Sequence, residues 1–256
     1  MQQRIEASPA LLARLAGVLY LVIIAIGVFG QVVVRDRLVV AGNADATAAN
    51  VLANETLWRL SVSGELGYLA LAVVVNLLMY VLFRPVSRNL ALLGLSFNLV
   101  SVSVEVVARF TLLAPLVFLG KAPSLQAFEP QQLHALAYAF IRLHVYGFSL
   151  SLIFFGCVCL AWGYLIRRSG LFPAVIGWLM QVAGVCYLVN SIALLAAPAV
   201  AAALFPAILL PPLVAEVSFC LWLLLKGIDS RRWHAIARGE ALPPTWTARL
   251  ETWSAP

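Results

Sequence analysis

Charged residues are scarce in this chain of 256 residues: they make up 11% of it, whereas hydrophobic residues make up 63%. A soluble globular domain carries about 25% charged residues, so this composition excludes an ordinary soluble domain. The mean hydropathy of +0.97 points the same way. The apolar residues form long continuous runs rather than alternating segments of ~10 residues, which favours membrane-spanning helices over a membrane β-barrel.

The sequence also lacks the motifs of common enzyme classes. It contains no HExxH, GxSxG, Walker or GxGxxG pattern, and its acidic residues do not cluster as metal or phosphate chemistry requires. All four cysteines lie within apolar runs, where a thiol behaves as a small hydrophobic group. They are Cys157, Cys159, Cys186 and Cys220. Because Cys157 and Cys159 point in different directions on a helix with no histidine near them in that segment, we expect no disulfide, metal site or cofactor.

Six apolar runs are long enough to cross a lipid bilayer as helices, which takes roughly 20 residues each. They cover about residues 12–34, 57–83, 89–118, 138–166, 171–197 and 204–226. Basic residues precede the first run, as in a signal peptide, but the run is too long and no small-x-small cleavage site closes it, so we interpret it as a retained span. The sequence therefore predicts an all-α bundle of six transmembrane helices between an N-terminal segment, 1–11, and an amphipathic tail, 227–256.

Positive charge divides unevenly between the two predicted sides of the membrane. With a cytoplasmic N-terminus, eleven cations face the cytoplasm: Arg4, Arg14, Arg84, Arg88, Arg167, Arg168, Lys226, Arg231, Arg232, Arg238 and Arg249. Four face outward: Arg35, Arg37, Arg59 and Lys121. The positive-inside rule then places both termini in the cytoplasm. We assign the net charge of +6 to this topology and to contact with anionic lipid, and not to nucleic acid binding.

Two polar segments outside the spans predict surface helices. Residues 35–56 contain an Ala-rich stretch that Asp45 can cap, which predicts a short outer helix before the second span. In the tail, apolar Trp233, Ile236 and Ala237 lie opposite Arg231, Arg232 and Arg238. This pattern is typical of a helix in the headgroup layer, and Pro243 and Pro244 are expected to end it.

Ionisable side chains inside the spans are the candidate functional residues, because a charge in hydrocarbon requires a partner, a wet cavity or a route to the headgroups. They are Glu65, Glu105, Arg109, Arg142, His144 and Glu216, with Asn98 and Asn190 as polar neighbours. Glu105 and Arg109 are one helical turn apart in the order that favours an ion pair. Three acids face two arginines in this set, and His144 could supply a third positive charge.

Helical geometry and depth in the membrane predict how these residues are arranged. Arg142 and His144 point about 160° apart on a regular helix, and polar residues share the face of Arg142, so we expect Arg142 in the interior. Glu65, Arg109, Arg142, His144 and Asn190 fall towards the outer side, and Glu105 and Glu216 lie nearer the middle. If the polar faces turn inward, they form a pocket that opens outward.

Three functions are compatible with such a cluster. The pocket binds or transports a small polar or amphipathic molecule, with proton coupling as one form of that function. Alternatively, the charges only fix helix packing in a structural or sensory membrane partner. A third alternative is an intramembrane enzyme that acts on a lipid or quinone, with Glu and His as its acid and base groups.

Several segments resemble the family catalogued as domain of unknown function 4386. They are AGVLYLVIIAIGVFGQ (16–31), ATAANVLANETLWRLS (46–61), LMYVLFRPVSRNLALLG (78–94) and the run from His144 to Ser191. The resemblance covers about residues 10–226. Its most specific parts are ATAANVLANE and the run 144–191, since a generic apolar helix would not reproduce their polar residues. The resemblance implies a multi-pass protein of the bacterial cytoplasmic (inner) membrane, and no catalytic residue carries over from it.

Overall fold

The computed structural model of the chain describes residues 8–240, and the regular elements in that range are helical. Six helical segments within it are long and apolar enough to cross a membrane, which confirms the predicted all-α fold. We name them spans 1 to 6: Pro9–Leu38, Glu55–Phe83, Arg88–Phe118, Pro130–Ser169, Ala174–Ala196 and Ala207–Leu225.

The α-helices of the described range are α1 Pro9–Val28, α2 Asp36–Leu38, α3 Ala44–Ala53, α4 Glu55–Phe83, α5 Arg88–Phe110, α6 Ala114–Phe118, α7 Pro130–Ser169, α8 Ala174–Ala196, α9 Pro198–Leu204, α10 Leu210–Leu225 and α11 Ser230–Ala237. A π-helical segment, Phe29–Arg35, joins α1 to α2. Short 3₁₀ segments lie at Thr111–Leu113, Pro123–Ala127 and Ala207–Leu209.

Helix α7 extends well beyond the apolar run that was predicted from residue 138. It starts at Pro130 with a capping box formed by Glu129 and Gln132. The Glu129 side chain accepts a hydrogen bond from the backbone N–H of Gln132, and the Gln132 side chain accepts one from the backbone N–H of Glu129 at 3.0 Å. Its 40 residues measure roughly 60 Å at about 1.5 Å per residue. Since the hydrocarbon core is about 30 Å thick, α7 projects from the membrane.

The bundle has two ends, which we name by the segments they carry. The terminal end carries Pro9, the turns at 84–87 and 170–173, and α11. The loop end carries residues 39–54 and 119–129. The predicted tail helix is α11, and its buried Trp233 packs on the protein, where the indole donates a hydrogen bond to the carbonyl of Leu82 at 2.9 Å. The predicted stop at residues 243–244 lies outside the described residues.

The predicted surface helix before the second span is α3, at the loop end. Its N-cap is Asn43 rather than Asp45, because Asn43 has extended backbone angles and its side chain accepts a hydrogen bond from the Ala46 N–H at 2.9 Å. Asp45 instead contacts His134 of α7 at 2.7 Å. The hydroxyl of Tyr138, also on α7, accepts from the Gly42 N–H at 2.8 Å. The projecting part of α7 therefore anchors α3.

Helices α7 and α8 form a close contact through facing glycines. A Cβ atom on Gly156 would lie 2.9 Å from the carbonyl oxygen of Gly184. Small residues let helix backbones approach closely in membranes, where the hydrophobic effect does not drive helices together. This contact fixes span 5 against span 4, and so fixes the position of the polar side chains that both carry.

Candidate functional site

Four charged side chains from spans 1, 2 and 3 form a buried cluster, which we name the ionic network: Arg35, Glu65, Glu105 and Arg109. Arg35 Nη1 lies 2.7 Å from Glu65 Oε1 and donates to Oε2 at 2.8 Å. Arg109 Nη1 lies 3.1 Å from Glu65 Oε2, and Arg109 Nη2 lies 2.8 Å from Glu105 Oε1. Glu65 is 0% exposed and Arg109 is 2% exposed, so two guanidinium groups share one fully buried carboxylate.

Tyr68 and His144 complete the coordination of Arg109. The Tyr68 hydroxyl donates to Glu105 Oε1 at 2.5 Å and accepts from Arg109 Nη2 at 2.7 Å. His144 Nδ1 lies 3.1 Å from the carbonyl oxygen of Ala108, which can only accept, so Nδ1 carries the proton. Its Nε2 faces an Arg109 N–H at 3.2 Å and must be the acceptor. His144 is therefore neutral, and the prediction that it supplies a third positive charge is wrong.

The ionic network balances its own charge. It contains two guanidinium groups and two carboxylates, so its formal charges sum to zero. Neutral donors and acceptors provide most of the other hydrogen bonds of these four side chains. A buried set of charges is tolerated when its members pair and share hydrogen bonds, whereas loss of one partner leaves an uncompensated charge. The predicted i,i+4 pair of Glu105 and Arg109 is confirmed as part of this set.

Arg35 was predicted at the outer surface, and the structure places it inside the network at 7% exposure. Its Nε donates to Gln31 Oε1 at 3.0 Å, and Gln31 Nε2 donates to Asp36 Oδ1 at 2.7 Å. Both partners are exposed, so this edge of the network meets the loop-end surface. Gln31 and Arg35 lie one turn apart at the end of an apolar run, and this spacing is the signal in the sequence that could have indicated a polar interior position for Arg35.

Gly30 provides the space that Glu65 occupies. It lies in the π-helical segment, where the winding is wider than in an α-helix. A Cβ atom at residue 30 would lie 1.9 Å from Glu65 Oε1 and 3.0 Å from Ser61 Oγ. The lack of a side chain at Gly30 therefore lets the Glu65 carboxylate sit against span 1 and reach Arg35.

The structure reverses the predicted positions of Arg142 and His144 relative to the interior of the bundle. Arg142 is exposed, and His144 is 4% exposed. The face of α7 that packs on Ala108 carries His144, so Arg142 points away from the bundle. Counted from Ser169, Arg142 lies roughly 40 Å along α7, which is beyond the ~30 Å hydrocarbon core and suits a side chain at the headgroup level. The expectation that Arg142 faces the interior is wrong.

The two asparagines of the predicted site lie outside the ionic network. Asn98 is buried at 2% exposure, and its Oδ1 has no hydrogen-bond partner within residues 8–240. Asn190 is partly exposed on α8. In the described range, no hydrogen bond joins either side chain to Glu65, Glu105 or Arg109.

Glu216 forms a second polar site, which we name the Glu216 site, with Tyr20 and Tyr187. The Tyr20 hydroxyl donates to Glu216 Oε2 at 2.8 Å, and the Tyr187 hydroxyl donates to Oε1. These residues come from spans 6, 1 and 5. Among the described residues no arginine or lysine forms an ion pair with Glu216, in contrast to Glu65 and Glu105.

Two residues of the Glu216 site are only partly exposed. Glu216 and Tyr187 are surrounded by protein, yet each keeps part of its surface accessible. Glu105 interacts electrostatically with both of them, and its own side chain is 14% exposed. The two sites therefore differ in charge balance, since the Glu105 carboxylate pairs with arginine and the Glu216 carboxylate is held by neutral hydroxyl groups.

The part of the chain that is described contains no group of three or more His, Cys, Asp or Glu side chains that could hold a metal ion. The polar chemistry inside the bundle therefore rests on carboxylates, guanidinium groups, hydroxyl groups and one neutral imidazole. These groups suit proton exchange or the binding of a polar ligand.

Comparison with known proteins identifies the family of this chain. The family described as Domain of unknown function (DUF4386) matches residues 15–227. An uncharacterized protein of Archaeoglobus fulgidus is 26% identical over 167 residues, which cover 65% of this chain and 83% of that relative. No solved structure matches. With a match across nearly all of its membrane-spanning part, the chain belongs to the DUF4386 family.

Proposed function

We propose that this protein binds and transports a small polar or amphipathic molecule across the bacterial cytoplasmic membrane, and that Glu216 is the residue that meets the cargo or a coupled proton. The observation that carries the proposal is the environment of Glu216. Its carboxylate lies where spans 1, 5 and 6 meet, the residue keeps part of its surface exposed, and it is held by two hydroxyl groups with no ion-pair partner among the described residues. Such a group is free to exchange a proton or to bind a cation.

The ionic network has a different role in this proposal. Its charges compensate one another, so a ligand that displaced one of them would leave a buried charge unpaired. The network therefore holds spans 1, 2 and 3 in place, and exchange occurs at the neighbouring Glu216 site. In this proposal the binding region predicted from the sequence is limited to the part of the bundle around Glu216 and Glu105.

We propose that the terminal end faces the cytoplasm. Nine lysine and arginine side chains of the described range lie at that end: Arg14, Arg84, Arg88, Arg167, Arg168, Lys226, Arg231, Arg232 and Arg238. The positive-inside rule supports this orientation. Glu216 is nine residues from the end of α10, or about 14 Å along the helix, which is near the middle of the hydrocarbon core. Transporters typically bind their cargo at that depth.

An uptake experiment tests the proposal. Bacterial cells that express the wild type, Glu216→Gln or Glu55→Gln receive a mixture of isotope-labelled polar and amphipathic small molecules, and mass spectrometry measures what accumulates. Glu55 is the matched control, because it is an exposed acid in a surface pair with Arg59 at 2.7 Å. We expect the wild type and Glu55→Gln to accumulate the same compound and Glu216→Gln to fail at equal expression. Identical profiles for wild-type cells and cells with an empty vector would refute transport.

The second candidate function is a structural or sensory membrane partner, which the neutral ionic network favours. If this is the function, the buried charges contribute to stability alone. Glu216→Gln would then leave every uptake profile unchanged, and its effect would be confined to the free energy of unfolding. The uptake experiment therefore separates the two candidates.

A further inference from the structure

A cavity of about 310 Å³ opens at the terminal end, where α10 meets α11 and the turn after α7. We name it the terminal cavity. Its lining combines apolar residues of the turn with three charged side chains and one indole from the end of span 6 and the start of α11. The charged and indole residues are Trp222, Lys226, Asp229 and Arg232. Because the cavity lies outside both the ionic network and the Glu216 site, a ligand bound there would not depend on the proposed transport function.

Two hydrogen-bond donors of the lining residues lack acceptors. Trp222 Nε1 and Arg232 Nε are both buried atoms, and neither has a hydrogen-bond partner within the described range. A buried donor without an acceptor is unfavourable, and a rotation of either side chain towards the cavity would bring its N–H to an acceptor there. The lining carboxylate of Asp229 caps α11, where its Oδ1 accepts from the N–H groups of Arg231 at 2.9 Å and Arg232 at 3.1 Å.

The Arg232 guanidinium is held in position by the turn after α7. Gly170 has a φ of 59°, in the left-handed region, and a Cβ atom there would lie 2.4 Å from Arg232 Nη2. The guanidinium therefore lies against a residue that has no side chain to displace it. The Asp229 cap fixes the backbone of Arg232 at the start of α11.

The cavity is positioned at the height of lipid headgroups. Helix α10 ends at Leu225, and Lys226 follows it directly. Tryptophan and lysine at the end of a span mark the boundary between hydrocarbon and water. Basic pockets between helices at this level are suited to the headgroups of anionic lipids. A volume of about 310 Å³ is at the lower end of the range for small-ligand sites.

We propose that the terminal cavity binds a phosphate group, carried either by a lipid headgroup or by a small soluble phosphate ester. The oxygens of a phosphate accept hydrogen bonds in several directions and so suit a lining that contains a guanidinium, an ammonium group and an indole. Arginine binds phosphate with good geometry, and lysine adds a point charge. Phosphate in the cavity would supply the acceptors that Arg232 Nε and Trp222 Nε1 lack once these side chains turn towards it.

Binding of short-chain lipids to the full-length protein in detergent tests this proposal. The probes are dioctanoyl phosphatidylglycerol as the lipid source, and glycerol 3-phosphate and inorganic phosphate as the soluble sources. Native mass spectrometry counts bound lipid, and calorimetry measures the affinity of each probe. We expect Arg232→Gln to weaken binding by about tenfold or more, because it removes a charge-assisted hydrogen bond. Lys226→Gln should weaken binding less, and because Lys226 is exposed we expect this variant to fold like the wild type.

Arg231→Gln is the matched control, because Arg231 is an exposed cation on the same helix and does not line the cavity. Binding of the lipid alone identifies a headgroup site, and binding of the soluble probes as well identifies a general phosphate site; either result supports the proposal. Failure of all three probes to bind would overturn it. Equal weakening by Arg231→Gln and Arg232→Gln would also overturn it, since that result indicates attraction to net charge rather than to a cavity.

Discussion

Replacement of Arg109 by glutamine tests whether the ionic network holds the bundle together. In the wild type, Arg35 and Arg109 balance Glu65 and Glu105; in Arg109→Gln, the buried carboxylate of Glu65 and the partly exposed carboxylate of Glu105 are left with one arginine. Loss of one partner from a buried ion pair costs about 3–5 kcal/mol. A neutral hydrogen bond between membrane helices contributes only ~0.6 kcal/mol, so unpaired charge dominates the effect. We expect the free energy of unfolding to fall by about 4 kcal/mol.

The double variant Glu105→Gln with Arg109→Gln separates charge balance from contact loss. It leaves one arginine and one glutamate, Arg35 and Glu65, which remain in direct contact at 2.7 Å. The double variant should therefore be more stable than Arg109→Gln alone, by about 0.5–3 kcal/mol, which is the usual range for coupling between residues in one network. Glu55→Gln on the exposed pair with Arg59 should cost no more than ~1 kcal/mol.

Reversible unfolding in mixed micelles provides the measurement. Sodium dodecyl sulfate is titrated into protein in a mild detergent, and circular dichroism follows the loss of helix for each variant. The reasoning is wrong if Arg109→Gln costs less than about 1 kcal/mol, or if the double variant loses as much as the two single variants added together. In either case the guanidinium of Arg109 would be compensated by water rather than by Glu65 and Glu105.

Two further replacements test the placement of side chains around the network. Gly30→Ala puts a methyl group where the Glu65 carboxylate lies and should lower the free energy of unfolding by about 1–3 kcal/mol, whereas Gly27→Ala meets open space and should be neutral or stabilising in the same titration. In a variant without the native cysteines, Arg142→Cys should react with a water-soluble maleimide and His144→Cys should not; equal labelling of both, measured by mass spectrometry, would contradict their assignment to opposite faces of α7.

Much of the fold could be predicted because a lipid bilayer permits few kinds of backbone structure. Backbone polar groups in hydrocarbon must be satisfied within the chain, so each long apolar run had to be a helix. The ends of helices were less predictable. Hydropathy predicts the part of a helix that lies in the membrane, and it does not predict how far the helix continues outside it. Helix α7 continues through polar residues to Pro130 because its capping box and its contacts at the loop end stabilise it outside the hydrocarbon.

In the candidate site, contacts within one helix could be predicted from the sequence, and contacts between helices could not. The pair of Glu105 and Arg109 could be predicted, because four residues along one helix set its geometry. The pairing of Arg35 with Glu65 spans 30 positions in the sequence and depends on how two helices pack, which no periodicity encodes. Periodicity placed Arg142 and His144 on opposite faces of α7, but it could not identify the face that meets the bundle.

The wide π-helical winding of residues 29–35 also determines the direction of everything after it on span 1. One residue more or fewer turns the rest of an α-helix by about 100°. A chain one residue shorter in this segment could return to regular winding, and Arg35 would then swing towards lipid, where no carboxylate is available. Deletion of one residue in this segment, without any change in residue type, would thus remove one positive charge from the ionic network.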